Sequence, residues 1–329
     1  MSRPVVGVIG GGPWGVALAA AAARTGGTTL LLSRRLLGGD AGGLPERVER
    51  ARDGADLAER ARLILFAVPS GVARDVARAL GPHIDGRHFI VHGVRGLVRV
   101  GEDAGRTTPS SPDGADDLET VSDIVRDETP ARRVGALGGP ALASDLLAGR
   151  PSVMVCGSRY PEVTLAMREA FVGPLLRLYA IEDLLGLEWA SALVGCLAIG
   201  VGYARGVGLG PGLLAAFITR AVEEAGRLTA AAGGDARTLL GLAGYGDLLA
   251  TIAQPERPEV LVGEALAQGK SLEQALAEAK QRVEAVELTA QLVAWAEARD
   301  VRAPVFGTLA RSVLTGRTPD ALVRELMRG

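Results

Sequence analysis

The chain has 329 residues, 48% hydrophobic and 22% charged, which exceeds one typical core, leaves no case for wholesale disorder and predicts a globular protein of about two domains. Its formal net charge of −2 provides no concentrated basic surface, so neither nucleic acid nor an anionic membrane is an expected partner. Cys156 and Cys196 are too few for a disulfide framework and lack metal-ligand spacing, which points to a reducing compartment, the cytoplasm.

At the N-terminus, MSRPVVGVIGGG breaks its apolar run with glycine after a few residues, so no export signal is expected. Short runs rich in Val, Ile and Leu then recur: PVVGVI, TTLLLS, LILFAV, HFIVHGV, RRVGALGG and PSVMVC. Each reads as a buried strand. VALAAAAARTGG and ERVERARDGADLAERAR lie between the first three with helical patterns, and this alternation predicts right-handed crossovers and a parallel, doubly wound sheet of Rossmann type. Residues 101–118, GEDAGRTTPSSPDGADDL, mix Gly, Pro, Ser and Asp without apolar periodicity and are expected to form an exposed loop.

Within the first strand-to-helix turn, VVGVIGGGPWGVALA sets Gly10, Gly12 and Gly15 in GxGxxG spacing, the context that a dinucleotide-binding turn requires. Gly10 permits the tight turn, Gly12 lets the backbone approach a pyrophosphate, and Gly15 allows the helix to pack closely. The free N–H groups at the helix start attract the anion. After the second strand, where an acid would select the ribose 2′-hydroxyl of NAD, the chain reads Ser33-Arg34-Arg35. One or two guanidiniums there suit the 2′-phosphate of NADP, so NADP(H) is favoured over NAD(H).

His83, His88 and His92 fall within ten residues, but His88 and His92 would stand about 13 Å apart along a strand, too far to share a metal. No metal site is read. His92, at a strand end, is a candidate proton donor because imidazole titrates near neutrality. From about Ile181 the β-branched runs give way to alanine- and leucine-rich helical patterns such as FITRAVEEAGRLTAAA and SLEQALAEAKQRVEAVELTAQLVAWAEAR. The expected division is residues 1–182, a dinucleotide-binding domain, and residues 183–329, an all-helical domain of a substrate-binding or dimerising kind. GLEWASALVGCLAIG, residues 186–200, carries one charge, Glu188. The uncharged run from Trp189 to Ala204 is shorter than the roughly 18 residues that argue for a membrane span, and predicts a buried core helix. Thr219 and Arg220 read as helix-surface or ion-pair residues, and Asp247 as a possible helix cap.

Taken together, GGGPWG, FAVPS, VRGL, GGPALA, GLEWASAL, GLAGYGDLL and GEALAQGKSLEQAL occur in the order and approximate spacing of NAD(P)-dependent glycerol-3-phosphate dehydrogenases, and the chain resembles that family over nearly its whole length. The resemblance implies hydride transfer between NAD(P)H and dihydroxyacetone phosphate, with a possible homodimer. It places Pro13, Trp14, Pro69, Ala143 and Glu284 against the cofactor, Arg95, Gly139 and Arg257 against the substrate, and Asp247 and Thr251 in the catalytic group.

Several positions depart from the family. Arg95-Gly96 stands where the family has a Lys-Gly pair, which keeps the charge but changes its shape and hydration. Leu193-Val194-Gly195 stands where the catalytic lysine sits in a Leu-Lys-Asn stretch. A Ser-Arg-Asn triplet that holds the substrate phosphate falls on Arg257-Pro258-Glu259, or is shifted so that Arg257 takes the place of its arginine. Ala141 replaces a polar residue after Gly139-Pro140. Two readings follow: an oxidoreductase of altered substrate or much reduced activity, and a non-catalytic nucleotide-binding regulator or assembly protein on the same scaffold, a pseudoenzyme.

Overall fold

The computed structural model describes residues 4–34, 44–100, 117–254, 256–280 and 283–315. The chain divides into two compact units, the first formed by Met1–Arg95 with Thr120–Glu188 and the second by Gly96–Glu119 with Trp189–Gly329.

The first unit opens with β1 (Val6–Ile9), α1 (Pro13–Arg24), β2 (Thr29–Leu32), β3 (Val48–Arg50), α2 (Gly54–Arg60), β4 (Leu63–Phe66), α3 (Ala73–Leu80) and β5 (Phe89–His92). The chain then contributes a short hairpin, β6 (Val98–Arg99) and β7 (Leu118–Glu119), to the second unit. It returns with α4 (Val121–Glu128), β8 (Arg133–Gly138), α5 (Ala143–Ala148), β9 (Ser152–Gly157), α6 (Pro161–Phe171) and β10 (Leu176–Ile181). The strands form one eight-stranded sheet in the order β10-β9-β8-β5-β4-β1-β2-β3, with helices packed on it as the expected Rossmann-type fold requires. Alanines 17 and 19–23 of α1 are buried with Leu18 against this sheet, and their small side chains let the helix lie close to β1 and β2.

Three details differ from expectation. β8 and β9 are antiparallel, pairing Ala136 with Gly157 and Gly138 with Val155, whereas every other pairing in the sheet is parallel. The six residues of α5 cover only about 9 Å, too little to carry the chain back along a strand of about 20 Å. The sequence ERVERARDGADLAERAR is not one helix but β3 followed by α2, because Asp53 caps α2 by accepting from the Asp56 N–H at 2.8 Å. β10 has the alternation of an edge strand, with Leu176 and Leu178 buried and Arg177 and Tyr179 exposed.

α7 (Leu184–Gly206) starts in the first unit and becomes the central helix of the second. It is followed by α8 (Pro211–Ala231), α9 (Ala236–Leu240), a π-helical turn at Leu242–Gly246, α10 (Asp247–Ile252), α11 (Pro258–Ala267), α12 (Leu272–Ala279), α13 (Ala285–Glu297) and α14 (Pro304–Thr315). Among the described residues α7 is the one helix long and apolar enough to cross a membrane by length and composition, and 94% of its most apolar window is buried. Glycines bring α7 and α11 into backbone contact: a Cβ on Gly202 would strike the Val260 carbonyl, and one on Gly263 the Ile199 carbonyl. Buried Glu224 of α8 accepts the Val305 and Phe306 N–H groups at 3.0 and 2.7 Å, satisfying the start of α14. Most of the loop expected at 101–118 lies outside the described residues. Its end does not: Leu118 belongs to β7, and Asp117 is ion-paired with Arg299.

Candidate functional site

In the first unit the glycine turn separates two kinds of constraint. Gly10 has φ 125°, and a Cβ there would strike the Ala67 carbonyl at the end of β4. At Gly15 a Cβ would strike the Gly10 carbonyl. Both glycines serve the fold, since any side chain would push β1, β4 and α1 apart. Gly12 differs: it is the N-cap of α1, its backbone is extended at φ −76°, and a Cβ would meet nothing within 4 Å. The space above Gly12 is therefore open, at a helix start whose first N–H groups have no intrahelical acceptor. A pyrophosphate fits there.

Around this turn the structure places most of the expected cofactor residues. Pro13 is the exposed first residue of α1, where a missing N–H costs nothing. Trp14 packs its indole against Gly93, just past β5, where a Cβ would collide with the indole nitrogen. The Gly10 N–H donates to the Leu32 carbonyl at 3.0 Å, so half-buried Ser33 and exposed Arg34 leave β2 beside the glycine turn. Arg35 lies outside the described residues. Exposed Pro69 follows β4, and half-buried Ala143 starts α5. Gly139, with φ 92°, and buried Ala141 follow β8, and Arg95 is half-buried three residues beyond β5.

His92 is committed elsewhere. Its Nε2 lies 2.8 Å from Glu188 Oε1, the same oxygen that accepts the Ser122 N–H at 2.9 Å. Its Nδ1 accepts the Val94 N–H at 3.4 Å. With Nδ1 accepting, the ring proton sits on Nε2 and points at Glu188. Ser122 Oγ approaches that same Nε2 at 3.4 Å. A hydrolytic relay needs the acid and the serine on different ring nitrogens, so this trio is a clamp joining β5, α4 and α7. The role of Glu188 was missed from sequence, where its only signal was a lone carboxylate heading an uncharged helix. His88 is likewise engaged, with Nε2 2.9 Å from the Ala58 carbonyl and Nδ1 accepting the Asp85 N–H at 3.0 Å.

In the second unit, Asp247 and Thr251 lie one turn apart on α10 and are both fully buried. Asp247 is not the N-cap of α10: that position is Gly246, whose backbone is already helical, and Asp247 is the first residue of the helix. Thr251 Oγ1 is buried without a hydrogen-bond partner. Arg257 is the N-cap of α11 and pairs through Nε with Glu259 Oε2 at 3.0 Å, both side chains being less than one-fifth exposed. Glu284 precedes α13 and is half-buried. Val194 is 1% exposed on α7, and beside it a Cβ on Gly195 would come within 3.2 Å of the Ala285 methyl. Cys196 Sγ lies 3.7 Å from the Ala285 carbonyl, and burial pushes its thiol up to about 12. α7 and α13 are thus in tight apolar contact at this level. Thr219 is a helix-surface residue whose hydroxyl donates to the Ala215 carbonyl at 2.9 Å.

Comparison with known proteins agrees over both units. The family model described as NAD-dependent glycerol-3-phosphate dehydrogenase N-terminus matches residues 40–164, and its C-terminus counterpart matches residues 183–324. A glycerol-3-phosphate dehydrogenase (NAD(P)+) of Nitratidesulfovibrio vulgaris is 31% identical over 339 residues, covering 98% of this chain and 97% of the relative. The enzyme of that name from Fusobacterium nucleatum is 29% identical over 286 residues, covering 86% of this chain and 81% of its own. Among solved structures, glycerol-3-phosphate dehydrogenase from Coxiella burnetii superposes with a TM-score of 0.86 at 27% identity, covering 99% of both chains. The chain therefore belongs to the NAD-dependent glycerol-3-phosphate dehydrogenase family.

Proposed function

We propose that this family member binds NADP(H) in preference to NAD(H) and interconverts dihydroxyacetone phosphate and sn-glycerol 3-phosphate very weakly or not at all. The open space above Gly12 supports dinucleotide binding, and Arg34, leaving β2 beside the glycine turn, supports the preference for a 2′-phosphate. A bound nicotinamide supplies the hydride. The chain itself must then provide a proton for the alkoxide that ketone reduction leaves, an assistance worth about 10² to 10⁴ in rate, or about 3 to 5 kcal/mol.

Val194, at the position where the resemblance puts the catalytic lysine, is the observation that carries the reading. Valine has no proton to give. A guanidinium such as that of Arg95 stabilises developing charge without serving as a proton donor. The Nε2 proton of His92 is directed at Glu188. The pairing of Arg257 with Glu259 also sets a carboxylate against the guanidinium that the resemblance assigns to the substrate phosphate.

A second reading, a non-catalytic nucleotide-binding regulator or assembly protein, is favoured by the packing of Gly195 against Ala285. An asparagine side chain at 195, as in the family, would need Ala285 to give way by a few tenths of an ångström, so this level of α7 and α13 is fitted to a residue without a side chain. The two readings separate in a paired measurement on one preparation: fluorescence titration with NADPH, then NADPH oxidation with a panel of carbonyl compounds. Tight binding with oxidation of another carbonyl supports altered substrate; tight binding with none supports the regulator. Failure to bind any dinucleotide overturns both.

A further inference from the structure

We propose that Arg50, the last residue of β3, supplies a second guanidinium to the 2′-phosphate of NADP(H) and, with Arg34, sets the choice between the two cofactors. The proposal rests on the reading that the glycine turn holds a dinucleotide. At its C-terminal end β2 is bonded to both neighbours. On one side the Leu32 carbonyl accepts the Gly10 N–H at 3.0 Å, and on the other the Leu31 carbonyl accepts the Ala51 N–H at 3.1 Å. The ribose 2′ position of a dinucleotide held by such a turn lies at the end of this second strand. β3 therefore flanks that position opposite the glycine turn, with Arg50 in register with Leu31 and one strand spacing, about 4.8 Å, away from it.

Register also fixes the face. Val8, Leu31 and Arg50 form one row across β1, β2 and β3, and paired residues of neighbouring strands project to the same side. Val8 and Leu31 pack in the core with the alanines of α1, as does Val48, two residues before Arg50. Exposed Arg50 thus continues, at the rim, the face of the sheet on which α1 lies. An exposed arginine is ordinary in itself, but the guanidiniums around this one are engaged. Arg52 meets Asp56 Oδ1 through Nε and Nη2 at 3.2 and 2.9 Å, and Arg60 pairs with Glu49. Among the described residues Arg50 makes no ion pair. Its charge and planar fork are left for a ligand, on the strand next to the one that Arg34 leaves. Two guanidiniums on adjacent strands suit a phosphate, which accepts charge-assisted bonds from both, whereas the free ribose hydroxyl of NAD(H) offers no charge to either.

Calorimetric titration of the full chain with NADPH and, separately, with NADH is the test. Arg50→Gln, at an exposed position, is expected to weaken NADPH about tenfold, the loss of one charge-assisted contact, and to leave NADH within about twofold. Arg50→Lys keeps the charge but not the fork and is expected to recover part of that loss. Arg52→Gln removes a neighbouring charge already paired with Asp56 and is expected to leave both affinities unchanged. An Arg50→Gln protein with the wild-type ratio of NADPH to NADH affinity overturns the proposal and leaves the dinucleotide reading standing. Equal weakening of both cofactors overturns it too, by giving Arg50 a role in the fold. So does a loss of NADPH affinity in Arg52→Gln as large as that in Arg50→Gln, since any surface charge would then serve. A wild type that binds neither cofactor overturns the dinucleotide reading and this proposal with it.

Discussion

Gly12→Val separates a residue that serves the ligand from residues that serve the fold. The extended backbone at Gly12 is open to any L-residue, and the new side chain meets no protein atom within 4 Å of its Cβ. The cost to folding is therefore limited to replacing glycine by a poor N-cap residue, about 1 kcal/mol. At about 2.1 cal/mol/K per residue, a chain of 329 residues unfolds with an entropy of about 0.7 kcal/mol/K, so the variant's Tm falls by about 1 to 2 °C. The ligand effect is larger. NADPH at a hundred times its Kd stabilises the wild type by about 2.7 kcal/mol, a rise of about 4 °C. In the variant the isopropyl group occupies the space over which the pyrophosphate must lie, and the rise should drop below about 1 °C. Thermal scans with and without NADPH read both quantities. Gly15→Val is the contrasting control, expected to unfold the first unit because its Cβ has no room beside the Gly10 carbonyl. A folded Gly12→Val protein that keeps the full NADPH-induced rise would refute the assignment of this turn to the dinucleotide.

Arg34→Asp should reverse the cofactor preference by calorimetry, weakening NADPH about tenfold or more while leaving NADH little changed; an unaltered ratio defeats the selectivity argument. Glu188→Ala removes the shared acceptor of His92 and the Ser122 N–H and should cost about 3 kcal/mol in urea unfolding, with Glu188→Gln recovering part of it; a loss under about 1 kcal/mol contradicts the clamp. Burial raises the Cys156 and Cys196 thiols from 9.0 to about 12, so neither should react with a water-soluble disulfide reagent at pH 8 until urea unfolds the chain. Because the unfolded thiols ionise first, this contribution to stability is complete below about pH 9 and is lost as pH rises towards 12. A native thiol that reacts readily, or stability that climbs through that range, contradicts the burial.

The glycine turn was legible because two of its positions demand glycine, a Cβ at Gly10 or Gly15 striking a carbonyl, while Gly12 opens onto the space proposed for the pyrophosphate. The helical second unit was legible from its periodicity. β3 was not, because Val48 is its one buried residue in a charged run and only the cap at Asp53 shows where α2 begins. The alternation in LRLY was present in the sequence, but a single edge strand offers a weak signal. Strand direction at β9 depends on the length of α5 and its packing against α1, which no local pattern reports. Glu188 meets a histidine 96 residues away, so its clamp emerges only once the sheet is assembled. Val194 could be read by resemblance, but the closure of α7 on α13 at Gly195 could not.

The central claim is that the chain retains dinucleotide binding at its glycine turn and, with Val194 where the family has its lysine, lacks the proton donor for ketone reduction. Steady-state NADPH oxidation with dihydroxyacetone phosphate, followed across about pH 6 to 9 in protein freed of the expression host's own enzyme and shown to be saturated with NADPH, tests it most directly. The account predicts turnover absent, or reduced by about 10² to 10⁴ relative to a lysine-bearing family member. Brisk turnover with a bell-shaped pH profile would contradict it and require an acid other than residue 194, such as a water held by Asp247.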